Sequence, residues 1–260
     1  HAKRVLVGDA GAIPYASDVP ALDVIGLGGY RGLPFARATR TNIAAAIELI
    51  ERIPPAERPD LLALYPGWWS DFPLWFGTRV AEVPVRGNVI CGGVSKVLYR
   101  PRWEPLDRSG VPFSLQPGER VLDSLDQADL VSEKEHAYAL SQKNIGFVFM
   151  KLLENPSRPR EDLWDAARLV PPGVAETFRL SHLEPEKPLT LIVRSAPTAA
   201  TEFDVTMAGK VLGHVRLHPH DGWVETRVTL PATHASSVAL SFAPGTSERA
   251  LFQVWAVAAP

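Results

Sequence analysis

The sequence predicts an α/β plus all-β protein: a small α/β layer over residues 1–105, then an antiparallel β-sandwich or jelly roll over residues 106–260. Three features predict it. In the first hundred or so residues, short apolar runs of the buried-strand type alternate with an amphipathic helical stretch. Residues 101–118 are rich in Pro and Gly, the composition of a boundary. Beyond them, seven short alternating segments recur between turn dipeptides, the pattern of an antiparallel sandwich.

Residues 4–7 and 22–25 read as buried strands, each delivering an Asp and one or more Gly to a strand end: Asp9 with Gly8 and Gly11, Asp23 with Gly26. Thr41 or Asn42 caps a helix whose Ile43, Ile47 and Ile50 share one face, and Pro54-Pro55 stops it. Residues 61–65 form the next strand, and the aromatic segment 65–76 contains a turn of helix after Ser70 or Asp71. Residues 79–85 and 94–99 are two more strands, joined through Gly87-Asn88 and Gly92-Gly93. In the second half, strands are expected at 176–180, 189–194, 202–207, 211–217, 223–230, 238–242 and 251–257. Ala208-Gly209, Asp221-Gly222 and Pro244-Gly245 supply turns. Residues 120–137 add one or two strands, 161–169 read as a short helix, and 144–153 fit strand or helix.

With 46% hydrophobic and 22% charged residues, the chain can bury a core. Its net charge is −2 and it has no basic run, so neither a nucleic-acid partner nor a polybasic membrane patch is supported. The single Cys91 excludes an internal disulfide and, beside Val89 and Ile90, reads as a buried inert thiol. No window approaches the roughly 20 apolar residues of a membrane helix, and no signal peptide is present. The chain opens on His1 and enters a strand almost at once, which reads as a piece of something longer.

In Gly26-Leu27-Gly28-Gly29-Tyr30-Arg31-Gly32, Arg31 stands where a dinucleotide fingerprint needs its third glycine, and Pro34 interrupts the helix start. No nucleotide, and no other cofactor, is expected. His214, His218 and His220 lie close together but read as a solvated hairpin tip, so no metal is assigned. No Gly-x-Ser-x-Gly elbow occurs. Carboxylates and rings remain. Sugar faces carry C–H groups that stack on Trp, while carboxylates accept hydroxyl hydrogen bonds. Asp9, Tyr15, Asp23, Trp68, Trp69 and Asp71 are therefore the candidate substrate-binding residues, and no catalytic residue is assigned. The competing reading of the aromatic stretch is a plug between the two domains. Asp23 interrupts an apolar run and needs a partner, for which Arg31 or Arg37 is the candidate.

Residues 5–15, then Leu22-Asp23-Val24-Ile25-Gly26-Leu27, a helix, and Pro59-Asp60-Leu61-Leu62-Ala63-Leu64 carry a resemblance. This stretch resembles the extracytoplasmic C-terminal region of bacterial polytopic GT-C glycosyltransferases, a group similar to the dolichyl-phosphate-mannose-protein mannosyltransferases and the mycobacterial arabinofuranosyltransferases. Asp9-Ala10-Gly11 and Asp23-Val24-Ile25-Gly26-Leu27 are the matching motifs. The resemblance implies a soluble extracytoplasmic domain of a membrane protein that transfers sugar from a polyprenyl-phosphate donor. The family's catalytic acid sits between membrane helices that this stretch does not contain. The chain itself then binds or positions a glycan or polyprenyl-linked acceptor, without chemistry. Asp9, Gly11, Asp23 and Gly26 would be structural or line an acceptor cleft. In architecture, the second half resembles the jelly-roll carbohydrate-binding modules appended to some arabinosyltransferases. Two other readings stand beside this one: a free-standing secreted or periplasmic glycan-binding protein, and a glycoside hydrolase acting through Asp9 and Asp23.

Overall fold

The computed structural model describes residues 2–9, 11–89 and 92–258, so the expectations for His1 and Cys91 lie outside the described residues. The chain divides into two compact units, His1–Asp107 and Arg108–Pro260.

The first unit runs β1 (Val5–Val7), α1 (Ala12–Ser17), β2 (Ala21–Asp23), α2 (Phe35–Thr41), α3 (Ile43–Glu51), β3 (Leu61–Leu64), α4 (Phe72–Phe76), β4 (Gly77–Pro84) and β5 (Ser95–Pro101). Strands β2, β1 and β3 are parallel, and antiparallel β5 and β4 extend the sheet to the order β2-β1-β3-β5-β4. All of β1 is buried, as in parallel strands covered on both faces. The order reverses direction across β1. Right-handed crossovers then put α1 on one face and the α2–α3 pair on the other. The register gives Val5, Val7, Leu61 and Ala63 to the face of α1, where Ile13 packs, and Leu6 and Leu62 to the opposite face.

Asn42 caps α3 by accepting the Ala44 N–H at 3.0 Å, and Ala44 to Ile50 are all buried. Helix α1 is the opposite case. It is six residues long, contains Pro14 and fully buries none of its residues, so no apolar period announces it in the sequence.

The second unit is an antiparallel sandwich of β6 (Arg120–Asp126), α5 (Leu130–Glu135), β7 (Ala139–Leu140), β8 (Phe147–Asn155), β9 (Arg158–Val170), β10 (Glu176–Leu180), β11 (Leu189–Ser195), β12 (Thr201–Met207), β13 (Lys210–Leu217), β14 (Val224–Leu230), β15 (Val238–Phe242) and β16 (Arg249–Ala258). One sheet has the order β13-β12-β15-β10-β7 and the other β14-β11-β16-β9-β8, with β6 also pairing with β16. Their inner faces share one core that includes Phe178, Phe203 and Phe242 from the first sheet and Leu191, Val193 and Val254 from the second. Trp223 is buried in a second cluster, edge-on to Phe252 at 4.7 Å.

All seven segments read as strands are strands, and 144–153 resolves as β8. One reading is corrected. Residues 161–169 belong to β9, not to a helix, because the middle of that strand is buried on both faces and loses its alternation. Residues 120–137 supply one strand, β6, as expected, and then α5, which Asp129 caps by accepting the Val131 N–H at 2.8 Å.

A network of buried charge ties this unit together. Arg194 is fully buried and donates to Asp165 at 2.9 Å, to Glu225 at 2.9 Å, and to the carbonyls of Ser109 and Val111. Its guanidinium lies 4.6 Å from the Trp255 ring centre. Arg249 and Glu176 form a second fully buried pair at 2.7 Å, and Tyr138 also donates to Glu176.

At the edge of the sandwich, His136 meets Asp123 at 3.2 Å with both side chains largely covered. Burial opposes charge on both, but the hydrogen bonds outweigh it. His136 is held above 6.5 by Asp123 and the Ser132 carbonyl, and Asp123 below 3.8 by His136 and the Ser181 amide. The His contribution is therefore complete below 6.5 and lost as pH rises through its raised value; the Asp contribution is present above 3.8 and lost on acidification. The pair is expected to stabilise the sandwich most between these two values, by on the order of 1 kcal/mol. Thermal melts across pH should show the alkaline decline in the parent protein, and His136→Asn should flatten it.

Candidate functional site

In open α/β sheets the crevice for ligands opens at the carboxyl ends of the parallel strands, where the strand order reverses. Here that point lies between β1 and β3. Gly8 and Asp9 leave β1, Tyr65 to Trp68 leave β3, and Lys96 enters β5 at the same end. The Lys96 ammonium pairs with Asp9 and lies 4.3 Å from the Tyr65 ring centre, a cation–π distance. Trp68 leans on Tyr65, with ring centres 5.5 Å apart and planes at 51°. The 92–93 turn closes on one side of the indole, and Gly92 allows it, because a Cβ at that position would run into the Trp68 ring. Trp68 nevertheless remains 48% exposed.

Of the six residues singled out in the sequence, Asp9 and Trp68 come together around Lys96 and Tyr65. Asp71 is exposed at the start of α4 and makes no capping side-chain bond there. Tyr15 stands on α1, 90% exposed. The other two are corrected. Trp69 is buried at 2% exposure, stacked near Phe72 and packed over Gly8, where a Cβ would strike its ring. Asp23 is also buried, and both its oxygens are taken. One accepts the Ile25 N–H at 3.0 Å, the other the N–H groups of Leu27 at 2.8 Å and Gly28 at 3.2 Å. It folds the glycine-rich loop, and neither Arg31 nor Arg37 is its partner; Arg31 pairs with Glu57. With Asp23 committed to backbone amides, a hydrolase working through Asp9 and Asp23 has no second carboxylate.

The aromatic stretch is largely core of the first unit itself. Phe72 and Phe76 pack on each other and on Trp103, at ring separations of 5.4 to 6.2 Å. The sequence did not single out Lys96 or Tyr65. Tyr65 follows a strand that ends at the switch point, which is the signal that finds it. Lys96 carries no local signal, being 87 residues from Asp9.

On the sandwich, His214 lies on an exposed sheet face rather than at the hairpin tip with His218 and His220. It bonds Asp204 at 2.8 Å and Glu202 at 3.3 Å, and these carboxylates, Asp204 first, raise its pKa.

A family model described as a domain of unknown function, DUF8728, matches residues 1–122. No curated protein sequence matches the chain. Among solved structures, it is similar to a carbohydrate-binding module from Cellvibrio mixtus lichenase 5A in complex with cellotriose, at 11% identity and TM-score 0.36, covering 54% of this chain and all of the module (100%). It is also similar to the C-terminal CBM6 of the Zobellia galactanivorans laminarinase LamC, at 10% identity and TM-score 0.31, covering 47% and 99% of the two chains. A third is the family GH115 glucuronidase BtGH115A, with specificity for decorated arabinogalactans, at 14% identity, TM-score 0.35 and 56% coverage of this chain. The matched part spans 18% of that enzyme's length.

Proposed function

We propose that this chain is a glycan-recognising extracytoplasmic part of a membrane glycosyltransferase, holding or positioning an acceptor while the chemistry takes place elsewhere in the protein. The observation that carries the glycan reading is the half-exposed Trp68, joined through Tyr65 to the Asp9–Lys96 pair at the switch point of the first sheet. A pyranose lays its C–H face on the open side of Trp68, and its hydroxyls bond to Asp9 and Lys96, groups that offer acceptor and donor side by side. The membrane context, the polyprenyl-linked acceptor and the extracytoplasmic location rest on the short motifs at Asp9 and Asp23 that resemble GT-C proteins.

Titration calorimetry of the chain against neutral and acidic oligosaccharides tests the binding. At least one should bind, and Trp68→Ala should weaken it roughly tenfold, as expected for loss of a stacking ring. Absence of binding across the panel, or affinity indifferent to Trp68→Ala, refutes the site. A topology reporter fused within the full-length gene product tests the location independently, and activity only on the outer side is the expected result.

A further inference from the structure

On the face of the first sheet that carries α1, a cleft of about 550 Å³ opens between that helix and the strands. Small-molecule sites occupy about 300–1000 Å³. The wall is aliphatic: Val5, Leu61, Ala63 and Leu98 from the sheet, Ile13 and Ala16 from the helix, and no aromatic ring. Only Ser17 and Lys96 interrupt it. No residue of helix α1 is fully buried, although the helix stands over an apolar sheet face; Ile13 is half-buried against Val5, Val7 and Ala63. Beyond Ile13 it roofs a space.

We propose that this cleft binds a single aliphatic chain bearing an anionic head, a carboxylate or a phosphate monoester. A ringless wall of Val, Leu, Ile and Ala suits a flexible hydrocarbon and offers a sugar or flat heterocycle neither stacking nor hydrogen bonds. Charge fixes the head. Among the described residues Lys96 is the one charged residue of the lining, and its ammonium pairs with the Asp9 carboxylate. The Asp9 side chain is 42% exposed and that of Lys96 only 13%. An arriving anion therefore takes the place of Asp9 on Lys96 while Asp9 turns to water. This site shares Asp9 and Lys96 with the glycan reading but not Trp68 or the aliphatic wall, so Trp68→Ala tests the sugar alone and Ala16→Phe the amphiphile alone.

Saturated fatty acids from octanoate to tetradecanoate, titrated below their micelle concentrations, provide the test, with dodecyl phosphate and dodecyltrimethylammonium as head-group controls. Affinity should rise about two- to fourfold per added methylene until the cleft is full. The cationic amphiphile should bind at least tenfold more weakly than dodecanoate. Lys96→Met should cost about tenfold and erase the preference for anions. Asp9→Asn should tighten dodecanoate binding by removing its competitor. Ala16→Phe, on the exposed helix, should abolish binding while leaving the thermal melt in place. The proposal is overturned if affinity does not depend on chain length, if anion and cation bind alike, or if Ala16→Phe binds as the parent does. Concentration-dependent dimerisation that Ala16→Phe abolishes, without amphiphile binding, also overturns it and makes the face a contact between copies of the chain.

Discussion

Replacing Arg194 by Met is expected to destabilise the sandwich unit by about 3–5 kcal/mol near neutral and alkaline pH, more than any surface change in this unit. Met fills much the same space, so the loss is not one of packing. What disappears is the only described cation bonded to two carboxylates, Asp165 and Glu225, that lie at 0% side-chain exposure. Two further attachments go with it, the carbonyls of Ser109 and Val111, so the segment leading into the sandwich loses its clasp. The pH dependence separates this account from a generic core defect. Even with Arg194 pulling it down, burial pushes the Asp165 carboxyl up to about 7. The folded state thus holds that proton more tightly than the unfolded chain. Its contribution is complete at low pH and is lost as pH rises from about 4 towards about 7. Without Arg194 the Asp165 carboxyl is pushed up further, so the variant should recover part of its stability on acidification, from about pH 8 to about pH 5. Urea unfolding followed through the indole resonances of Trp164, Trp223 and Trp255 reads this unit alone. An Arg194→Met loss that is small, or the same at both pH values, contradicts the account.

The sandwich was the more legible half because one face of most of its strands is wet. Burial alternates along β10 and β12 residue by residue, and a period of two is what a single sequence displays best. Strand β9 escaped for the converse reason: Trp164, Asp165 and Ala166 are all at 0% exposure, so both faces are buried and no period survives. In the first unit, the parallel strands were visible as apolar runs and α3 through its Asn42 cap and isoleucine spacing. Helix α1 was not, having no apolar stripe to show. Site residues were legible by type but not by role. An Asp at a strand end reads the same whether it faces solvent, as Asp9 does, or turns back on its own loop, as Asp23 does. The clue for Asp23 was the glycine-rich run that begins three residues ahead at Gly26, the composition of a loop that a side-chain carboxylate can gather up. The buried pairs were beyond reach, since Arg194 lies 29 residues from Asp165 and 31 from Glu225, and nothing in a linear sequence couples them.

The adjacent residues Trp68 and Trp69 should give opposite results, and this is the sharpest check on the functional reading. Trp69→Ala is expected to cost the first unit about 3–5 kcal/mol. Its indole is 2% exposed, sits 6.1 Å from Phe72, and fills the space over Gly8 that only a residue without a side chain leaves open. No neighbour can collapse into that volume, because Gly8 lies at the end of a strand pinned on both sides by β2 and β3. Trp68→Ala removes a ring that is half in solvent and leans on Tyr65 and the 92–93 turn, with a cost below about 1 kcal/mol. The consequence of Trp68→Ala should be functional: loss of glycan affinity with the melt nearly unmoved. A purely structural role for the aromatic stretch predicts instead that both variants lose stability together and that neither affects binding except through unfolding. Chemical denaturation of the two variants, followed by hydrogen exchange at the amides of β1 and β3, separates the cases. Those amides should lose protection in Trp69→Ala and keep it in Trp68→Ala, because β1 and β3 carry the carboxyl ends on which Asp9 and Tyr65 are mounted.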